Sequence, residues 1–152
     1  MTVRVRAIVL TPTDGWLVFR RTRPGRDVYW SLPGGGVEPD DADRRAALLR
    51  EMREEVGGAV LIHSLRHILD TPAGQQHIYL CRIETWREAE RTGLEFSDPA
   101  AGEYLLETRR LDHETLAAIT LSPPGLADLL ADDLRRSGGN LFSLPGLQEG
   151  PG

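Results

Sequence analysis

Apolar and basic residues alternate through VRVRAIVLT (3–11) before the run turns wholly apolar, the pattern of a strand with one face buried and then both. PTDG interrupts it, and WLVFRRT (16–22) reads as an antiparallel hairpin partner. RPGRDVYWSLPGGG is punctuated by Pro and Gly and leaves room only for a short extended piece around Val28 to Leu32. A helical run follows through residue 56. AVLIHSLRHILDT and QQHIYLCRIETW, joined by PAG, are β-branched and partly alternating, and predict a second strand pair. GEYLLETRRL predicts a further strand. DHETLAAIT carries an Asp cap with helical spacing, and SPPGLADLLADDLRRS opens on prolines and stops before Gly-Gly, so two more helices are expected. Strands and helices interleave, which places the chain in the α/β class.

The 152 residues are 40% hydrophobic and 27% charged, enough for one globular core. Residues 1–136 are expected to form a single domain, and 137–152 a tail too rich in Gly and Pro for an element of its own. Leu141, Phe142 and Leu144 are its apolar anchors, for docking onto the domain or for contacts in a homodimer. No apolar window has the length of a membrane span, and the start lacks the pattern of a secretory signal, so a cytoplasmic protein is expected. Cys81 is the one cysteine and sits in an apolar strand, which leaves no disulfide framework or thiolate metal cluster. The net charge of −5 argues against bulk nucleic-acid binding. All 18 cationic side chains are arginines, whose planar forks suit phosphate oxygens. His63, His67, His77 and His113 show no metal-ligand spacing.

Chemistry gathers in GGGVEPDDADRRAALLREMREEVGG (34–58). With a helix advancing about 100° per residue, Glu51, Glu54 and Glu55 share one arc, while Leu48, Leu49, Met52 and Val56 share another. Two like charges ~4 Å apart repel by about 1 kcal/mol in water and about 4 where solvent is partly excluded, so three carboxylates call for a compensating positive charge. Mg²⁺ is one solution, since it takes a few carboxylate oxygens and completes its shell with water and phosphate oxygens. A solvated helix face with ordinary salt bridges is the other. Arg50 can hold a neighbouring carboxylate by a forked hydrogen bond, and Asp43 suits the helix N-cap.

This stretch resembles the signature of the Nudix hydrolases: REMREEVG (50–57) follows its R-E-U-x-E-E-x-G pattern, and PGGGVEP (33–39) matches the glycine loop ahead of its helix. Counted back from Arg50, the signature's first glutamate falls on Ala42, and its last apolar position on Gly58; Asp41 would serve in a loop one residue longer. The resemblance implies an α/β/α sandwich with a mixed β-sheet. It also implies Mg²⁺ or Mn²⁺ held by Glu51, Glu54 and Glu55 with a backbone carbonyl from Gly35–Gly36, and Arg50 orienting Glu51. The implied reaction is water attacking a pyrophosphate linkage in a small nucleoside diphosphate derivative. Glu51 or a more distant glutamate takes the proton, Glu103 being the first such candidate and Glu107 and Glu95 weaker ones. Arg20, Arg21, Arg23 and Arg26 precede Tyr29 and Trp30, and Arg23, Arg26, Tyr29 and Trp30 are the candidate substrate-binding residues, with forks for phosphates and rings for a base or sugar. Pro72, near the place where some ADP-ribose-cleaving relatives carry a proline, gives a slight lean to ADP-ribose; it equally suits a hairpin turn. A Nudix-like domain that binds a nucleotide without cleaving it is the alternative.

Overall fold

The computed structural model describes residues 2–87 and 102–150. Its strands are β1 (Val3–Leu10), β2 (Gly15–Thr22), β3 (Tyr29–Ser31), β4 (Gly34–Gly36), β5 (Val60–Thr71), β6 (Gly74–Ile83), β7 (Glu103–Arg110) and β8 (Leu121–Ser122). The helices are α1 (Arg44–Glu55), α2 (His113–Ala118) and α3 (Leu126–Ser137), with a 3₁₀ turn at Leu141–Ser143. The described strands form one mixed sheet in the order β5-β6-β1-β2-β3-β8, with β4 added to β1 and β7 to β2. β1 runs parallel to β6, and β5 and β6 form the expected antiparallel hairpin, with Pro72 in its turn.

Side chains alternate across the sheet, so each strand feeds two cores. Val5, Ala7, Val9, Leu17, Tyr79 and Cys81 pack with Ala47, Leu48 and Met52 of α1. Ile8, Trp16, Val18, Ile78 and Leu80 pack on the other face with Leu116 of α2 and Leu126, Leu130 and Leu134 of α3. The result is the expected α/β/α sandwich. Cys81 is fully buried, and burial pushes its thiol up to about 12, as befits a packing residue. No described helix is long and apolar enough to cross a membrane.

Two expectations are corrected. The three glycines are not a loop but strand β4, paired with Arg4 to Arg6 of β1. Only glycine fits at its first position, where φ is +148° and an added Cβ would lie 2.0 Å from the Val5 carbonyl oxygen. The tail, in turn, carries the 3₁₀ turn and is bound at several points among its described residues. Leu141 and Leu144 are buried in the α3-side core, so they are spent on this chain rather than left for a second copy. Arg66 donates to the Pro145 carbonyl at 2.6 Å and the Leu147 N–H to Leu65 O at 2.8 Å. Glu149 accepts from Arg45 of α1 at 2.6 Å and from the Tyr79 hydroxyl at 2.9 Å. His67 and Arg66 of β5 both reach the buried Asp133 of α3, at 2.7 and 3.2 Å. Leu141→Ala is expected to lower unfolding free energy by about 2–5 kcal/mol, the range for a leucine removed from a closed core, as read from urea unfolding. A change within error would mean that the tail is only loosely applied.

Candidate active site

β1 and β2 pair only next to their turn, at Val9 with Leu17 and Leu10 with Trp16. Towards the start of β1 they part, because β1 takes β4 as its neighbour while the far half of β2 takes β3 on the edge that β1 has left, β7 pairing along the whole of the other edge. A cleft of about 250 Å³ opens in the gap. Glu51 and Glu55 form one wall, β4 lies beside them, and Arg4, Arg6, Arg21 and Tyr104 face them.

The acidic wall comes from α1. Asp43 caps the helix as expected, its carboxylate accepting from the Ala46 N–H at 2.8 Å. The apolar arc turns to the core, and two of the three glutamates turn inward beside it: Glu51 is 8% exposed and Glu55 5%, whereas the Glu54 side chain is 38% exposed. Glu55 accepts from the Gly34 N–H at 2.8 Å. Gly35 lies so close to Glu51 that an added Cβ would meet its Oε1 at 2.4 Å. Arg50 binds the group together. Its Nε and Nη2 fork onto Asp41 at 3.0 and 2.9 Å, Nη1 reaches Glu51 at 3.0 Å and Glu54 at 3.3 Å, and Nη2 also donates to the Gly36 carbonyl at 3.0 Å. The Asp41 hydrogen bonds raise Arg50 above its ordinary value, burial opposing and Glu51 adding. Arg50 in turn holds the Asp41 carboxyl below the usual range, helped by the Glu38 N–H at 2.7 Å. Asp41 is therefore the residue that meets Arg50, while Ala42 is exposed. The fork expected on a neighbouring carboxylate falls on Asp41, because Glu51, adjacent in sequence, meets only one arm.

The basic wall was largely missed by sequence reasoning. Arg4 and Arg6 lie on a strand whose alternation reads as ordinary amphipathicity, and Arg21 stands out from its neighbours only through the register that sets it beside Tyr29 and Tyr104. Arg6 donates to the Gly34 carbonyl at 3.1 Å. Burial lowers its value, Glu55 opposing and Arg4 and Arg21 reinforcing, yet a guanidinium keeps its proton. Arg21 donates to the Tyr104 hydroxyl.

Of the residues singled out for substrate, Tyr29 and Arg26 line a continuation of the cleft, with the Arg26 guanidinium 4.8 Å from the Tyr29 ring centre. Trp30 does not: its neighbours across β2 lie on the opposite face, where it packs against the α3-side core and donates to Glu107 at 2.8 Å. Arg23 lies in the turn that leads to Arg26 and lines neither part of the cleft. Glu103 is exposed at the start of β7 on the face opposite Tyr104, so strand alternation turns it away from the glutamates of α1. Burial opposes ionisation of Glu107, but the hydrogen bonds from Trp30 and Arg109 outweigh it and hold its carboxyl below the usual range. Glu95 lies outside the described residues.

A family model described as the NUDIX domain matches residues 1–131. The chain belongs to the NUDIX family. It is 37% identical over 68 residues to the nucleoside triphosphatase NudI of Salmonella agona, a match that spans 41% of this chain and about half, 48%, of that protein. Among solved structures it resembles a NUDIX hydrolase from Nitrosomonas europaea, at a TM-score of 0.66 and 17% identity over 90% of this chain and 89% of that one. It also resembles an ADP-ribose pyrophosphatase from Streptococcus suis, at 0.60 and 23% over 90% and 91%. These two likenesses concern the NUDIX fold.

Asp41 and Asp43, ahead of α1 in this NUDIX chain, differ in role. Asp41 has a depressed value when folded, so its contribution to stability is complete above the ordinary carboxylate value near 4 and fades as pH falls through the lower folded value. Urea unfolding of wild type and Asp41→Asn should therefore differ at pH 7 and converge below about pH 4. A pH-independent difference would show that the ion pair with Arg50 does not stabilise the turn. Asp43→Ala should cost about 1 kcal/mol, the usual loss for a helix cap.

Proposed function

We propose that this NUDIX chain is a hydrolase that, with a divalent metal ion, cleaves a pyrophosphate linkage in a nucleoside diphosphate derivative. The observation that carries the reading is one cleft with two buried carboxylates, Glu51 and Glu55, on one wall and three arginines on the other. Such opposition suits a substrate that is itself a run of negative charges joined to a cation.

The donors fit a hard divalent ion. Glu51 and Glu55 offer oxygen, and the bare backbone at Gly35 lets the Glu51 carboxylate lie against β4 where a side chain would displace it. Among the described residues no three acidic, histidine or cysteine side chains form a ready cage. Magnesium does not need one, because it keeps waters and borrows phosphate oxygens. Glu51 and Glu55, with Glu54 on the rim under Arg50, are the residues to hold Mg²⁺ or Mn²⁺. When bound, the ion would neutralise the diphosphate and acidify water. The rest falls to the chain. Arg4, Arg6 and Arg21 bind the phosphate oxygens, and their forks fix the anhydride against the acidic wall. Glu51 accepts a proton as water attacks phosphorus; the new O–P bond forms, the bridging P–O bond breaks, and the anhydride separates into two phosphates. Arg50, itself held by the Gly36 carbonyl, keeps Glu51 from turning away.

Pro72 closes the β5–β6 hairpin, which accounts for it without a substrate, so the ADP-ribose lean stands as one arm of a test rather than as a conclusion. With Mg²⁺ and a panel of ADP-ribose, nucleotide sugars, dinucleoside polyphosphates and nucleoside triphosphates, phosphate or nucleoside monophosphate should be released and chelation should stop it. Glu55→Gln should lower kcat by roughly a hundredfold with the fold intact, since the amide keeps the shape and loses the charge. Near wild-type turnover by that variant in saturating Mg²⁺ would overturn the metal assignment.

A further inference from the structure

Past Arg6 and Arg21 the cleft opens into a chamber of about 140 Å³ bordered by Tyr29, Gln76 and the serines Ser31 and Ser122, which are neighbours in register across β3 and β8. Its charge differs from that of the cleft. There Arg4, Arg6 and Arg21 stand opposite Glu51 and Glu55; here Arg6 and Arg21 are joined by Arg26, and no acidic side chain lines the wall. Arg45, Arg50 and Arg66 each meet a carboxylate elsewhere in the fold, whereas Arg6, Arg21 and Arg26 form no ion pair among the described residues. Left to themselves, like charges on flexible stems swing apart. The Tyr29 ring opposes this: the Arg26 and Arg21 guanidinia lie 4.8 and 5.4 Å from its centre, where attraction to the ring holds both at one wall. Cations gathered where no carboxylate answers them call for an anion from outside the chain, as the glutamates of α1 call for a cation. The donors narrow its chemistry. One fork fills a carboxylate, whereas a phosphate monoester carries about two negative charges and three acceptor oxygens, enough for several guanidinia and the serine hydroxyls.

We propose that this chamber is a subsite for a further phosphate of the substrate, one outside the pyrophosphate that is cleaved. This rests on the hydrolase reading for the reaction. Arg6 and Arg21 line both spaces, so the further phosphate lies next to the scissile group. Arg26 lines the chamber and not the cleft, which makes it the residue that tells a substrate with this phosphate from one without. Two sources share the chemistry: a phosphate that extends the chain, as in a nucleoside triphosphate, and one esterified to the ribose.

The test compares kcat/KM, in Mg²⁺, for ADP, ATP and adenosine 3′-phosphate 5′-diphosphate in wild type, Arg26→Gln, Arg26→Lys and Arg135→Gln. The second and third nucleotides are ADP with one phosphate added, in line or on the ribose. Wild type should favour one of them over ADP by about tenfold or more, the worth of a charge-assisted hydrogen bond, and which of the two leads identifies the source. Arg26→Gln should lose most of that preference, chiefly through KM on the favoured nucleotide, and Arg26→Lys should regain part of it. Arg135→Gln removes the same charge at the far end of α3 and should leave the preference in place. Equal use of ADP, equal losses by Arg26→Gln on all three nucleotides, or an equal effect of Arg135→Gln would overturn the subsite. Where none of the three is cleaved, the subsite is judged by calorimetric binding of the same nucleotides in EDTA. Tighter binding of one phosphorylated form than of ADP by about tenfold, lost in Arg26→Gln, upholds it, and equal or absent binding overturns it. If no compound of the wider substrate panel is cleaved either, the hydrolase reading fails separately.

Discussion

The Arg50 guanidinium is the interaction around which the cleft is arranged. At ~4 Å each pair of like charges on α1 costs about 1 to 4 kcal/mol according to solvent access, and Glu51 and Glu55 are both turned away from solvent. One planar cation spans the turn at Asp41, the carbonyl of β4 at Gly36, and two glutamates of the helix. Its fixed fork geometry does more than neutralise. Because the bonds diverge in one plane, helix, turn and strand cannot shift separately without breaking one of them. A lysine at this place would supply the charge and lose the register.

Concentrating carboxylates and arginines in one gap of a sheet works against stability, since each charge gives up water. The gap itself follows from β1 and β2 separating after two residue pairs and accepting other partners. β4 then fits under α1 only because its first two positions lack a side chain. Compensation lies at a distance. Full apolar layers fill both faces of the sheet, the buried Asp133 ties α3 to β5 through His67 and Arg66, and Glu149 draws the tail onto α1 and β6. Burial, and then the Glu149 bond, push the Tyr79 hydroxyl up to about 12, so this last contact is made by a neutral donor to a carboxylate held ionised by Arg45. The helix that carries the glutamates is thus held at its first turn by the tail and along its later turns by Arg50.

Most of the order of elements was legible in the sequence, and so was the acidic helix with its Asp43 cap, because these depend on spacing along a few residues. Periodicity placed Leu48 and Met52 inward, whereas the glycines ahead of α1 read as a loop and form a strand. What neighbouring strands do was not legible. β4 and β8 are too short, and β4 too poor in side chains, to leave a period. The burial of Leu141 and Leu144 depends on where the chain returns after α3.

By itself, the sequence determined the helix, its charge and the family, since all of these are carried by consecutive residues in fixed spacing. The tertiary structure alone decided which charged residues face one another. Glu103 and Trp30 differ from Tyr104 and Tyr29 by a single position, and strand alternation sends the first pair away from the cleft and the second pair towards it. Arg4, Arg6 and Gln76 look like unremarkable strand polarity until β1 pairs with β6 in parallel and parts from β2. Such pairing depends on contacts between segments far apart in the chain, whose register no local pattern of residue types encodes.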